Sequence, residues 1–289
     1  MATLTRPVTG STLPQAPAPR RRKGPVEWLR DHIVAITAAL VFVYLLLPNV
    51  IVIVFSFNKP AGKYNYTFEH FSLDAWLNPC AAPGMCDSVL LSLKIGIAAT
   101  AVATILGTMV AFALARYRFG GRAATNLLVF MPMATPEVVM GSSLLTLFVS
   151  LTIPLGALTI FIAHVMFCVS FVVVTVKARI AGLDPRLEQA AMDLYATERQ
   201  TFTRITLPLV APGIAAGALL AFSLSFDDYI ITNFNSSPSS QTFPLFVWGA
   251  AQKGTPPQMN VVGTVMFLLS FLLVGLGQLI AWRRRRVTA

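Results

Sequence analysis

The sequence predicts an all-α, polytopic membrane protein with six transmembrane helices, and three observations carry that reading. Of its 289 residues, 55% are hydrophobic and only 12% charged, whereas a soluble domain carries roughly a quarter charged residues. Mean hydropathy is +0.69. Six apolar runs, near 33–57, 88–115, 125–149, 153–176, 208–232 and 259–282, each reach the roughly 20 residues that cross about 30 Å of hydrocarbon as a helix. What remains between them is too short for a large soluble catalytic domain.

Residues 1–32, with "STLPQAPAPRRRKGP", read as a basic, Pro-rich disordered tail. The first run, 33–57, is longer than the apolar core of a signal peptide and follows a polar stretch of about 30 residues, so it is expected to stay as a membrane helix. Residues 58–87 form a loop holding Cys80 and Cys86 ("CAAPGMC"). These two either pair on an oxidising side or remain free thiols. With Cys168 they make no metal framework, and no metal site is expected. Lys94, inside the second run, reads as a snorkelling side chain.

The third run contains "MPMATPEVVMGSS". Pro132 and Pro136 remove backbone donors, which is tolerated where a helix lines a cavity. Glu137 beside them either faces such a cavity or packs against another subunit at a simple kink. His164 in the fourth run reads as a hydrogen-bonded packing residue. Charges inside a membrane are costly and are functional candidates by default. Asp227 and Asp228 ("SLSFDDYIITNF") lie late in the fifth run, about 20 Å along the helix from Gly213. Carboxylates near a helix C-terminus oppose the macrodipole. The pair therefore needs a cation or polar neighbour, or faces extracytoplasmic water.

The net charge of +10 is unevenly distributed. Most of the 22 basic residues lie in the N-terminal tail (Arg6, Arg20 to Lys23, Arg30), the segment after span two (Arg116, Arg118, Arg122), the segment after span four (Lys177, Arg179, Arg186, Arg199, Arg204) and the end of the chain (Arg283 to Arg286). Lys59, Lys63 and Lys253 lie on the opposite face. Basic loops stay in the cytoplasm, so both termini are expected there. The basic clusters then need no nucleic-acid partner, and the terminal arginines form an anchor beside anionic lipid headgroups.

One cytoplasmic stretch breaks the apolar pattern: "EQAAMDLYATERQTFTRITLPLVAPGI", Glu188 to Ile214. Asp184 followed by Pro185 is a helix start. Leu187, Ala190, Ala191 and Leu194 then make one apolar stripe, with Glu188, Gln189 and Asp193 mostly off it. Thr197 with Gln200 matches a capping box for a second short helix. Phe202, Ile205 and Leu207 are apolar, and Pro208 limits that helix. The first helix lies either on the membrane surface or in a groove of another protein. Its small Ala190–Ala191 pair and its lack of a Lys/Arg-rich polar face favour the groove.

This stretch resembles the EAA loop, here 182–214, of membrane subunits of binding-protein-dependent ABC importers. Glu188, Ala190, Ala191, Ile205, Leu207 and Pro208 carry the resemblance. Gln189 interrupts the first three letters, and Tyr195 stands where the family has Gly. Tyrosine favours ordinary helical dihedrals, so a tighter or shifted turn is expected before Ala196. The resemblance implies a MetI-like, type-1 transmembrane domain over 84–282, with span one as an additional helix and 283–289 as a basic tail. It also implies that Glu188, Ala190, Ala191, Asp193, Leu194 and Ala196 couple to a cytoplasmic ABC ATPase dimer. No G-x-x-x-x-G-K-[ST] occurs in the chain, so ATP and Mg belong to that separate subunit and this chain binds no cofactor and is no enzyme.

The segment from "LSFDDYIITNF" through "TFPL" and "PPQMN" is similar to the polyamine (spermidine/putrescine) permease branch. The resemblance implies a prokaryotic inner-membrane importer, a second related permease subunit as heterodimer partner, and an extracytoplasmic substrate-binding protein. Asp227, Asp228 and Glu137 are the candidate substrate-pathway residues, since acids suit a polycation. A permease for another small solute and a proton-coupled secondary transporter are the alternatives. The latter leaves the Glu188–Pro208 pattern unexplained, and its usual repeat is not evident.

Overall fold

A backbone in hydrocarbon satisfies its own polar groups only as helix or closed barrel, and residues 25–287, described by this computed structural model, are mostly helical. In chain order the elements are α1 (Pro25–Phe55), β1 (Asn58–Lys59), β2 (His70–Phe71), α2 (Asp74–Leu77), α3 (Met85–Arg116), α4 (Arg122–Ala134), α5 (Glu137–Ser150), α6 (Ala157–Ala181), α7 (Arg186–Asp193), α8 (Glu198–Thr201), a π-helical turn (Phe202–Thr206), α9 (Leu207–Asp227), α10 (Ile230–Asn235), α11 (Phe243–Lys253) and α12 (Pro257–Val287). Among the described residues five helices are long and apolar enough to cross a membrane, and α4 with α5 makes a sixth if the bent pair counts as one.

The chain divides into a unit ending at Ile51 and a second unit from Val52. The first is the helix of span one. That helix begins at Pro25 rather than near 33, so residues 25–32 of the expected tail are helical, and 1–24 lie outside the described residues. At the other end α12 continues through the basic run to Val287, with 288–289 outside.

In the second unit α3, α6 and α9 form the core. Their contacts are made by small residues, which let membrane helices approach closely: Ala99, Ala103, Gly107 and Ala111 on α3, and Gly213, Gly217 and Ala221 on α9. A methyl group at Gly107 would stand 2.7 Å from Val172 Cβ on α6, and one at Gly213 would stand 2.6 Å from Arg179 Cβ. Neither position has room for a larger residue. Val172, Val173 and Val176 fill the space between.

Three departures from the expected helices have local causes. Span three is not continuous: α4 and α5 meet at a 108° bend. Thr135, at the break, is extended (φ −82°, ψ 132°), because the ring of a following proline disfavours the helical region for the residue before it. Span five ends at Asp227. Asp228 is extended, and the equally apolar "IITNFN" forms the separate α10. Upstream, Pro208 has no N–H for the Arg204 carbonyl, and the preceding turn widens to the π form, with Leu207 N–H reaching Phe202 O.

The segment between α1 and α3 contains the only departure from an all-α chain among the described residues, the antiparallel pair β1–β2. Asn58 organises it, donating to Asn65 Oδ1 (2.6 Å) and the Thr67 carbonyl (2.7 Å). A Cys80–Cys86 disulfide ties this segment to the first turn of α3.

Candidate functional site

The loop after α6 is built as the sequence predicts at its starts. Asp184 Oδ1 accepts the Arg186 N–H at 2.9 Å. Thr197 and Gln200 exchange two hydrogen bonds, 3.3 and 3.0 Å, in a capping box. Between them α7 presents two faces. Ala191 is buried, and Ala196 is half-buried. Ala190, Asp193, Leu187, Met192 and Leu194 are exposed, Leu194 at 81%.

Glu188 does not face outward. Arg116, the last residue of α3, grips both its carboxylate oxygens, with Nη1 donating to Oε2 at 2.6 Å and Nη2 to Oε1. Thr206 Oγ1, in the π turn, donates to Oε1 at 2.6 Å. Partial burial alone would raise the Glu188 pKa. The bonds from Thr206 and Arg116 and the guanidinium charge outweigh it, so the carboxyl titrates below its ordinary value. A depressed carboxyl contributes stability at neutral pH and loses it as pH falls through the depressed value. Hydrogen bonds to charged groups contribute about 1.5–3 kcal/mol. With Arg116 35% exposed, screening reduces the tie to about 1 kcal/mol. Behind it lies a cleft of about 720 Å³ lined by Phe112, Arg116, Glu188, Met192 and Phe202.

Tyr195 corrects the expectation drawn from its bulk. It takes the left-handed conformation itself, at φ +61°, and is 97% exposed. Ala196 N–H reaches Ala191 O (3.1 Å) and Tyr195 N–H reaches Met192 O (3.0 Å). This is the two-bond Schellman ending of a helix, with tyrosine in the glycine place.

At the other end of the core the two adjacent aspartates separate. Asp227 is exposed, and Asp228 is 8% exposed. Asp228 accepts from Thr232 N–H and Thr232 Oγ1, both at 2.7 Å, and from Ile231 N–H at 3.3 Å. It thereby caps the free amides at the start of α10. His164 on α6 completes the cluster, its Nε2 lying 3.2 Å from Asp228 Oδ2. Glu137 is exposed at the α4–α5 elbow, apart from this cluster, as the first residue of α5, where a carboxylate suits the helix dipole. Lys94 is exposed on α3.

Residues 103–286 match the family model described as "Binding-protein-dependent transport system inner membrane component". The spermidine/putrescine transport system permease protein PotC of Haemophilus influenzae is 37% identical over 83% of this chain and 93% of its own length. This chain belongs to that family of inner-membrane permeases. The putrescine transport system permease protein PotI of Escherichia coli K12 is 37% identical to the permease over 83% of the chain and 86% of its own. In fold the permease is similar to a solved bacterial ABC transporter involved in the import of the acidic polysaccharide alginate (TM-score 0.64, 14% identity, 90% of this chain and 98% of that one). It is also similar to the MetNI methionine ABC transporter (TM-score 0.56, 15% identity, 68% and 94%).

Sequence reasoning about the permease missed two pairings, Glu188 with Arg116 and His164 with Asp228. The partners are 72 and 64 residues apart, and no local pattern links them. The available signal for the second was that a polar ring and an acid in neighbouring apolar helices each need a partner.

A left-handed tyrosine costs about 1–2 kcal/mol. Tyr195→Gly is expected to raise thermal stability by about 1 kcal/mol in detergent, less the extra chain entropy glycine gives the unfolded state. A fall in the melting temperature would show that the tyrosine is held there without strain.

Proposed function

We propose that the permease imports polyamines of the spermidine/putrescine class across the inner membrane of a prokaryote. It supplies half of a pathway completed by a second, related permease chain in a heterodimer. One observation carries this reading, the similarity to spermidine/putrescine permeases over 83% of the chain. Acidic groups support it, with Asp227 exposed at the end of α9, Asp228 behind it and Glu137 at the elbow. Carboxylates lining a low-dielectric path concentrate a polycation.

Energy enters through the loop after α6. α7 is the handle for a cytoplasmic ATPase dimer, which holds ATP and Mg. Ala190, Asp193 and Leu194 offer the outward face, while Ala191 and Ala196 seat the helix. Glu188 acts through Arg116 and Thr206, fastening the handle to α3 and to the helix that becomes α9. A binding protein delivers substrate to the opposite face. Lipid surrounds the rest, and exposed apolar residues along α1, α3 and α12 suit it.

Both termini are cytoplasmic on this reading. Two independent features support the orientation: the distribution of lysine and arginine, and the Cys80–Cys86 bond, since disulfides persist on the oxidising side of the membrane. After mild reduction of whole cells, a membrane-impermeant maleimide is expected to label Cys80 and Cys86. Labelling only after lysis would invert the topology.

Glu188→Lys places like charge against Arg116 and is expected to lower the ATPase retained on purification, and uptake with it, by about tenfold. Normal retention and normal uptake together would remove α7 from the coupling. Reconstituted with its partners, the wild-type complex is expected to accumulate labelled spermidine or putrescine only with ATP. Replacing Asp227 and Asp228 together by Asn reduces that uptake while the complex still assembles. A permease for another small solute would leave labelled polyamine outside. A proton-coupled carrier would respond to an uncoupler while ATP is held constant.

A further inference from the structure

The coupling scheme gives His164 no part, yet its surroundings are more specific than packing requires. It is 1% exposed, and its ring joins three segments. Nδ1 lies 2.8 Å from Ser225 Oγ on α9. Nε2 lies 3.2 Å from Asp228 Oδ2 in the break and 3.0 Å from Thr232 Oγ1 on α10. A carboxylate only accepts hydrogen bonds, so Nε2 carries the hydrogen. Among the described residues no lysine or arginine forms an ion pair with Asp228; its partner is the imidazole.

α10 depends on this cluster at one end. At its other end Thr159 Oγ1 of α6 donates to Asn235 O at 2.7 Å. Asn235 Nδ2 reaches Gly141 O at 3.4 Å, and the Phe234 ring lies so close to Gly141 that a Cβ there would be 2.8 Å from it. α10 thus links α6 to α5, whose first residue is Glu137.

We infer that His164 is a positioning residue that occupies Asp228 in the substrate-free chain, and that a primary ammonium of the transported cation replaces it there, freeing the break at Asp228 from α6. This rests on the polyamine reading above. Asp227, exposed one residue earlier, gives an arriving cation a carboxylate to meet before the buried one. The exchange leaves no buried polar group stranded. The ammonium donates to Oδ2 the bond that the imidazole gives up, and Nε2–H keeps Thr232 Oγ1 as acceptor.

Competition has a signature that a merely structural histidine lacks: removing the occupant strengthens the newcomer. The measurement is equilibrium binding of radiolabelled spermidine to the permease–ATPase complex in nanodiscs, without binding protein. His164→Gln, which cannot bridge Ser225 and Asp228 at once, is expected to bind about three- to tenfold more tightly. Its maximal uptake rate in the full system falls, because no internal partner helps release the cation. Adding Asp228→Asn cancels the gain. Ser225→Ala, which removes the hydrogen bond to Nδ1 that holds the ring against Asp228, also tightens binding and decides the matter if His164→Gln fails to assemble. Equal or weaker binding in the assembled variants, beside a wild type that binds and imports polyamine, overturns the role of His164 alone. A wild type that neither binds nor imports polyamine overturns the substrate reading and this inference together.

Discussion

A peptide group inside lipid has no water to turn to, and the rest of this structure follows from that constraint. Most of the chain meets it by simple helix. At each place where the helix is interrupted, something on the chain takes over the freed groups. The π turn re-pairs Leu207 with Phe202 ahead of Pro208. The amides at the start of α10 are received by Asp228, and Thr159 receives the far end of α10 through Asn235. At the α4–α5 elbow the proline at 136 has no amide to satisfy, and the chain turns there. A break costs several kcal/mol for each stranded group in hydrocarbon, so the breaks mark where geometry is needed for something beyond spanning.

The same logic connects the loop after α6 to the core. Its helix is too short to hold itself, since isolated helices of this length are marginal in water. Its position comes from the ends: the Asp184 and Thr197 caps, the Schellman ending at Tyr195, and the Arg116–Glu188–Thr206 tie. That tie joins α7 to the last residue of α3 and to the turn leading into α9, so two core helices share its anchorage. The side chains of Leu194 and Tyr195 at the tip are exposed and contribute little to this fastening.

Run length and hydropathy made α3, α6 and α12 legible, because a helix that must cross lipid leaves few alternatives. They could not show where a span stops when the next segment is equally apolar. Asp227 ends α9, but "YIITNF" continues the hydrophobic run, and only a side-chain cap from Asp228 separates the two. Pro136 was visible, yet a proline inside a span is compatible with a gentle kink as well as a 108° bend. α11, between two spans, carried no length signal. Tyr195 misled because its Cβ argues against a left-handed turn, while two backbone hydrogen bonds and the fixed ends of the loop argue for it more strongly. The roles of Glu188 and His164 depended on partners distant in sequence, which spacing cannot supply.

The glycine contacts of the core divide the molecule in a further way. Where Gly107 meets Val172 and Gly213 meets Arg179, backbones are interlocked with no slack, and such surfaces slide only by coming apart. The α5–α10 pair meets α6 through the hydrogen bonds at Asp228 and Asn235 and through buried apolar side chains, Met140, Leu144 and Ile231 among them. The permease thus sets an interlocked α3–α6–α9 trunk beside an α5–α10 limb held in part by polar contacts, and the limb carries the elbow acid.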